Sequence, residues 1–411
     1  MKQYCAIIKC VKNFSPKKGK VYFMKVKQWL AVLMLVSTVG CGDNSSSSKA
    51  ESKSNNSSAV VSETAMPEKD YATTTDGSAK VKIDGTKFMV GDKELWFNGV
   101  NAPWDKWNDF GGGFNFEFWQ DHFQKLHNSG VNAARIWIIC NGDVGMAISA
   151  DGTFDGATTA HWEDLDNLFY LAEQYQIYIM ATVQSFDNFK DQNQNYQAWR
   201  TLIQDSDKTD MFVDNYIVPL VQRCGKSDYF WSVDLCNEPD WIVENEECGK
   251  LDWLYLEQYY AKAAAAIHAN SDVLVTVGMG MIKYNSDSQQ GNKISDKYDK
   301  SLAYVDFYST HWYTWMQGMW GYPFSESPTD FGLDGTKPCV IGECPAVASD
   351  SDFDITSAYE DAYNNGWNGV FAWKTSGQDD GCGLWLDIQP AIEKMAGICE
   401  DKIFPNDKKA V

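Results

Sequence analysis

The sequence predicts an α/β protein: a single (β/α)8 TIM barrel with a short N-terminal β-hairpin, preceded by a signal peptide and a disordered linker. Three observations predict it. Eight short apolar, β-prone runs follow one another at Trp96–Asn101, Ala133–Ile138, Tyr178–Val183, Phe230–Glu238, Val273–Val277, Asp306–Tyr313, Cys339–Glu343 and Val370–Lys374. Helical stretches separate most of them, and strand alternating with helix implies a parallel sheet. Eight repeats favour closure over an open doubly wound sheet, for which no GxGxxG turn is present. Length agrees: 411 residues could hold two or three domains, but a barrel of about 250 residues with insertions absorbs most of them.

The chain opens with a basic stretch. Met24-Lys25-Val26-Lys27 leads into the apolar run Trp29–Val36, too short for the ~20 residues of a membrane span, so residues 1–41 read as an export segment. Residues 1–23 only lengthen the basic part, so the translation start is expected at Met24. Ser37-Thr38-Val39-Gly40-Cys41 resembles a bacterial lipoprotein cleavage box, with Thr38 where Leu is usual, and marks Cys41 for lipidation. Residues 42–80 are Ser, Asn, Lys, Glu, Thr and Ala, too polar to order themselves, and form a tether. The catalytic domain is expected at 81–405. It starts with Val81–Val90, where Asp84-Gly85 signals a hairpin that plugs the barrel. Helical spacing then appears in Phe116, Trp119, Phe123 and Leu126, ending at Gly130, and in Trp162, Leu165, Leu168 and Leu171. It is less regular in Leu254, Tyr259, Ala263 and Ile267.

Composition narrows the partners. A formal charge of −21 argues against nucleic acid and against an anionic membrane surface. Membrane contact is therefore expected through the lipid anchor only. The first 40 residues carry eight Lys and no acid, so a chain starting at Cys41 has a charge near −29. Seventeen Trp exceed what a core of this size needs and suit a protein that stacks sugar rings. Eight of the eleven Cys lie beyond Cys41 with no CxxC pair, so no metal site is expected; an exported chain allows disulfides among them, but the spacing fixes no pairing. No cofactor is implied, and a monomer is expected.

The strand ends carry the chemistry. Phe230–Asp240 reads as a buried strand stopped by Pro239, with Asn237 and Glu238 at its carboxyl end. A lone Asn-Glu-Pro would be read more simply as an acid facing water. Lys337–Pro345 ends in a second carboxylate, Glu343, which lies 105 positions on. At about 35 residues per βα unit that is three units, strand four to strand seven. Two carboxylates meeting across a barrel mouth make a glycosidase. Arg135 sits in the apolar run Ala134–Ile138 and needs a carboxylate there, because burying it unpaired is costly. Glu343 is the first candidate and Asp234 the second. His311 and Tyr313, two apart, lie on one side of their strand. Trp373 alone would be core, but at a strand end it can floor a sugar subsite. Trp104, Trp107, Trp241, Trp312, Trp315, Trp320 and Trp385 follow strands one, four, six and eight; several are expected along a cleft and some in packing.

Residues from about 95 to 375 resemble glycoside hydrolase family 5, within the clan of retaining β/α-barrel glycosidases. The resemblance rests on Gly99-Val100-Asn101, Arg135, Asn237-Glu238-Pro239, His311-Trp312-Tyr313, Glu343 and Trp373 in that order. It implies Glu238 as general acid/base and Glu343 as nucleophile. It also implies that Asn237 holds the sugar 2-hydroxyl, that Arg135 and Tyr313 position the nucleophile, and that His311 supports the acid/base. Many cellulases of the family carry a His after strand three, where this chain has Gln184-Ser185-Phe186-Asp187-Asn188. Thr310–Pro323 and Lys337–Glu343 are more similar to the family's bacterial mannanases. The expected activity is therefore a retaining endo-β-1,4-mannanase acting on plant cell-wall β-mannan. An endo-β-1,4-glucanase acting on β-glucan is the alternative within the family. A glycan-binding lipoprotein on a dead barrel and a transglycosylase are readings from other classes. Release of reducing sugar separates the first of these, and product analysis at high oligosaccharide concentration the second.

Overall fold

The computed structural model describes residues 75–285, 301–349 and 351–405. The export segment, Cys41 and nearly all of the linker lie outside the described residues. The linker's last residues are tied to the barrel: Ala79 N donates to Asp228 at 3.1 Å and Lys80 Nζ to the Gly225 carbonyl at 2.8 Å.

All eight expected strands are present and close into one parallel barrel. They are β4 (Phe97–Asn101), β5 (Ala133–Trp137), β8 (Tyr178–Ser185), β9 (Phe230–Asn237), β10 (Leu274–Met279), β11 (Tyr308–His311), β12 (Cys339–Pro345) and β13 (Gly369–Trp373), with β13 pairing back onto β4, while β6 (Met146–Ile148) and β7 (Phe154–Ala157) form a separate two-stranded sheet. Side chains two apart point the same way along a strand, so each strand serves two floors of the barrel. Phe97, Ala133, Phe307 and Phe371 belong to an apolar lower layer with Trp231, Val340 and Met180. Four residues further along, Asn101, Trp137 and His311 reach the upper rim, and Arg135 lies between.

The expected hairpin is a three-stranded meander of β1 (Val81–Asp84), β2 (Lys87–Val90) and β3 (Lys93–Leu95). Gly85 and Gly91 each take the first place of a two-residue turn, at φ +61° and +62°, where a side chain would be strained. β3 escapes a sequence reading because Lys-Glu-Leu has one apolar residue. The meander seals the lower end of the barrel. Phe88, fully buried, meets Phe97, Trp231 and Phe307 edge-on at 5.0–5.3 Å.

Helices cover the outside. Phe116–Asn128 is capped by Asn115, whose side chain accepts from Phe118 N, and buries Trp119, Phe123 and Leu126. Phe116 itself is largely exposed and stacks on Tyr170. Trp253–Asn270 buries Tyr259, Ala263 and Ile267, while Leu254, expected on the same stripe, faces outward. The first turn of a helix is its least constrained part, which is where both departures fall. Among the described residues no helix is long and apolar enough to cross a membrane.

Among the described residues no disulfide forms between the eight cysteines, and seven of them are buried. Their thiols behave as small hydrophobes. Cys236 faces the Tyr260 hydroxyl, and burial pushes the Cys248 thiol up to about 12. A core of this size needs no covalent staples.

Candidate active site

Strand register sets the site level. Asn101 is opposite Arg135 on one side and Trp373 on the other; Asn237 is opposite Ser185 and Gly278; His311 is opposite Glu343. Every strand from β4 to β13 that carries a candidate group delivers it at the carboxyl end, where the loops of a β/α barrel converge.

Arg135 is the hub and is fully buried. Its Nε and Nη2 donate to Asp234 Oδ2 at 2.9 and 2.7 Å, and Nη1 donates to Glu343 Oε1 at 2.6 Å. Nη1 also reaches Asn101 Oδ1 at 3.1 Å, and Nη2 reaches Asn237 Oδ1 at 2.9 Å. The two expected partners thus act together: Asp234 holds the guanidinium from below while one fork stays on Glu343. Such a buried network costs desolvation and is a poor source of stability. It does fix the rotamers of Asn237 and Glu343 together.

Glu343 also accepts the Tyr313 hydroxyl at 2.8 Å. Glu238 shares a 3.0 Å hydrogen bond with His311 Nδ1, which stands 3.7 Å from Glu343. One oxygen of each carboxyl and that Nδ1 all lie within 4.8 Å of one another. Among the described residues this is the one grouping that could hold a metal ion, but its atoms bond each other.

The two acids differ in their hold on a proton. Burial pushes Glu238 up to about 7, with Arg135 and the Trp241 side chain opposing and the Asp187 charge adding to it. Burial raises Glu343 as well. His311, Arg135 and Tyr313 oppose that rise, and Glu238 adds to it. Glu343, directly bonded to a guanidinium and a phenol, is the one that ionises first. Burial lowers His311 to about 4, so its imidazole is neutral at working pH.

Two backbone features hold the pair. Glu238 sits at φ +48°, ψ +56°, a left-handed conformation that costs a non-glycine residue about 1–2 kcal/mol. Its N–H donates to the Gly278 carbonyl at 2.7 Å, and Pro239 starts a helix directly after it. On β10, Gly278 leaves a gap. A Cβ there would stand 2.8 Å from His311 Nε2, 3.0 Å from Asp234 Oδ2 and 3.1 Å from Arg135 Nη2.

Where the family's cellulases carry a His after strand three, a different polar chain stands. Asn237 Nδ2 makes a long 3.5 Å contact to Ser185 Oγ, which donates to Asp187 at 2.9 Å; Asp187 pairs with Lys190 at 2.7 Å. Asn237 Nδ2 is therefore only weakly engaged.

Tryptophans form two groups at the mouth. Trp104, Trp137 and Trp373 pack with Cys140 and Cys382, their ring centroids 5.2–5.9 Å apart, and the more exposed Trp107 leans on Trp104 and Trp137. On the β9 and β11 side, half-buried Trp241 faces exposed Trp315 at 6.5 Å. Trp312 does not belong to either group. It is 1% exposed and packs against Tyr322, Phe324 and Phe353, its indole bonded to the Gly321 carbonyl. Alternation along the strand turns it away from His311 and Tyr313. Trp385 is likewise packing, buried at the start of the helix Trp385–Ile398. Sequence reasoning missed Trp137, which its apolar run disguised. It also missed Asp187 and Asp380, which look like loop charges until the fold brings them in, and Lys374 at the end of the eighth strand run.

Comparison with known proteins adds relatives to this geometry. No protein-family model matches the chain. A mannan endo-1,4-β-mannosidase from Cryptopygus antarcticus is 26% identical over 351 residues, covering 77% of this chain and 90% of that one. The crystal structure of β-1,4-D-mannanase from the same organism superposes with a TM-score of 0.68 at 23% identity, covering 77% of this chain and 94% of that one. An endo-1,4-β-mannanase structure from Eisenia fetida superposes equally well, TM-score 0.68 at 21% identity, over 77% and 95% of the two chains. The barrel described above is thus the fold of these mannanases.

Proposed function

We propose that this protein is a retaining endo-β-1,4-mannanase. The observation that carries the reaction type is the carboxyl pair, with one oxygen from each acid within 4.8 Å. Retention needs the two carboxyl groups about 5–5.5 Å apart, whereas inversion needs about 6.5–9.5 Å to admit a water. Glu343, ionised and held by Arg135 and Tyr313, attacks the anomeric carbon. Glu238, protonated, gives its proton to the glycosidic oxygen as that bond breaks and the leaving sugar departs. A water then attacks the glycosyl-enzyme ester and gives its proton to the Glu238 carboxylate, which restores both acids.

The similarity to proteins named as mannan-degrading enzymes supports mannan as the substrate. Mannose and glucose differ at the 2-hydroxyl, and Asn237 Nδ2, weakly engaged beside Glu238, is placed to read it. A site that bonds one orientation rejects the other because buried polar groups are then left unpaired. The basic-apolar run ending at Cys41 supports export and a lipid anchor, with the following residues as a tether.

The test is kcat/KM on mannohexaose against cellohexaose, with the product anomer followed by NMR. Preference for mannohexaose with retention is expected. Equal or better use of cellohexaose makes the protein an endoglucanase, and net inversion removes the double-displacement scheme.

A further inference from the structure

Strand β13 ends in Trp373, and the loop after it returns to place Asp380 against both Trp373 and Lys374. Asp380 Oδ2 accepts the Trp373 indole N–H at 2.8 Å and the Lys374 ammonium at 2.7 Å, while Oδ1 accepts Cys382 N at 3.2 Å. Lys374 is 1% exposed, and its ammonium lies 5.4 Å from the Trp373 ring centroid and 5.8 Å from that of Trp104.

This arrangement is not explained by stability. Replacing a buried ion pair by well-packed apolar side chains of similar volume is often neutral or stabilising. Nor does the fold require every buried indole to be bonded. Among the described residues, Trp119, Trp137, Trp199, Trp231 and Trp385 are buried with no partner on Nε1. Trp373 alone of the Trp104–Trp137–Trp373 cluster receives a carboxylate. Burial works against an ionised Asp380, yet the Lys374 and Trp373 donors hold its carboxyl below the usual range.

We infer that Asp380 is a positioning residue for the reaction: its carboxylate fixes the plane of the Trp373 ring on which the reacting sugar rests, and Lys374 supplies the counter-charge. The inference rests on the reading of Trp373 as a subsite floor. An indole bonded along one edge cannot rotate about χ2 without breaking that bond. A ring displaced by a fraction of an ångström misplaces the anomeric carbon from Glu343, and rate is sensitive to such misplacement. The loss therefore falls on kcat more than on KM.

Two double variants of the full chain isolate the hydrogen bond. Lys374→Met with Asp380→Asn keeps an acceptor for the indole, whereas Lys374→Met with Asp380→Leu has the same net charge as the Asn variant and a similar volume but no acceptor. With mannohexaose, the Asn variant is expected to exceed the Leu variant in kcat/KM by about ten-fold or more, chiefly in kcat, at matching melting temperatures. If the Leu variant does not fold, Asp380→Ala in the same Lys374→Met background repeats the contrast. Equal kcat in the two variants, or a difference that tracks melting temperature, overturns the positioning role. Trp373→Ala is measured alongside. If it leaves kcat/KM intact, the subsite reading itself fails; if it cripples the enzyme while Asn and Leu at 380 are equal, the subsite stands and Asp380 is only structural.

Discussion

Glu238 and Glu343 are chemically the same side chain, and their environments make them different reagents. Glu343→Gln is expected to lower kcat by several orders of magnitude on every substrate, because no covalent ester can form. Glu238→Ala is expected to spare the first step for aryl glycosides with good leaving groups, and azide should restore turnover and give the β-glycosyl azide. Loss of the aryl substrate to the same degree as the polysaccharide would falsify the assignment. Since Glu238 must be protonated to act, kcat/KM should fall as pH rises through about 7. The same raised value has a stability consequence. Folding favours the neutral form, so the contribution is fully present below the ordinary 4.5 and is lost as pH rises through 7. Glu238→Gln should therefore melt higher than wild type at pH 8, by at most roughly 3 kcal/mol, and lose that advantage near pH 4.5. Calorimetry at the two pH values checks it.

Elements differ in how openly they announced themselves. The eight strands were legible because a fully buried parallel strand is an unbroken apolar run, and the acids at two of them were legible because they end such runs. Arg135 was legible as a charge in the wrong company, though its double partnership with Asp234 and Glu343 was not. Trp312 could be read for either cleft or packing, and it went to packing because alternation turns it away from His311 and Tyr313. Asp380 could not be found, since nothing in Gly377-Gln378-Asp379-Asp380-Gly381 says which acid turns inward. The meander β1–β3 yields a test at this scale. Phe88→Ala empties the contact with Phe97, Trp231 and Phe307 and should cost about 3–5 kcal/mol of stability. The pH profile of kcat/KM should not move, because the plug lies a full layer from the carboxyl pair. A displaced profile would mean that the two ends of the barrel are coupled.

At the scale of the whole molecule, the proposed anchor would join a strongly acidic barrel to a lipid through a polar leader. With a charge near −29 beyond Cys41 the chain is repelled by anionic membrane surfaces, so under the proposed reading attachment depends on the acyl chains. Cys41→Ser is expected to move the protein from the membrane fraction to the soluble one, with kcat on soluble oligosaccharide unchanged. A wild-type mature chain that begins elsewhere with an unmodified N-terminus would show the anchor reading wrong. The described cysteines bear on the same setting. Seven are buried, so exposure to an oxidising compartment leaves them intact for as long as the barrel stays folded.

Gly278 brings to the site only an absence, and that has a bearing on how the site can change. The circumference of an eight-stranded mouth is fixed, so any bulk that one strand sends inward is taken from its neighbours. His311, Asp234 and Arg135 converge because β10 yields its share of that space. Specificity libraries that vary only the sugar-facing residues would leave this allocation untouched. Enlarging position 278 alone should be lethal to activity, yet tolerable when His311 or its neighbours shrink in the same clone. The interior of the rim behaves as a shared volume, in which residues on different strands can change only in concert.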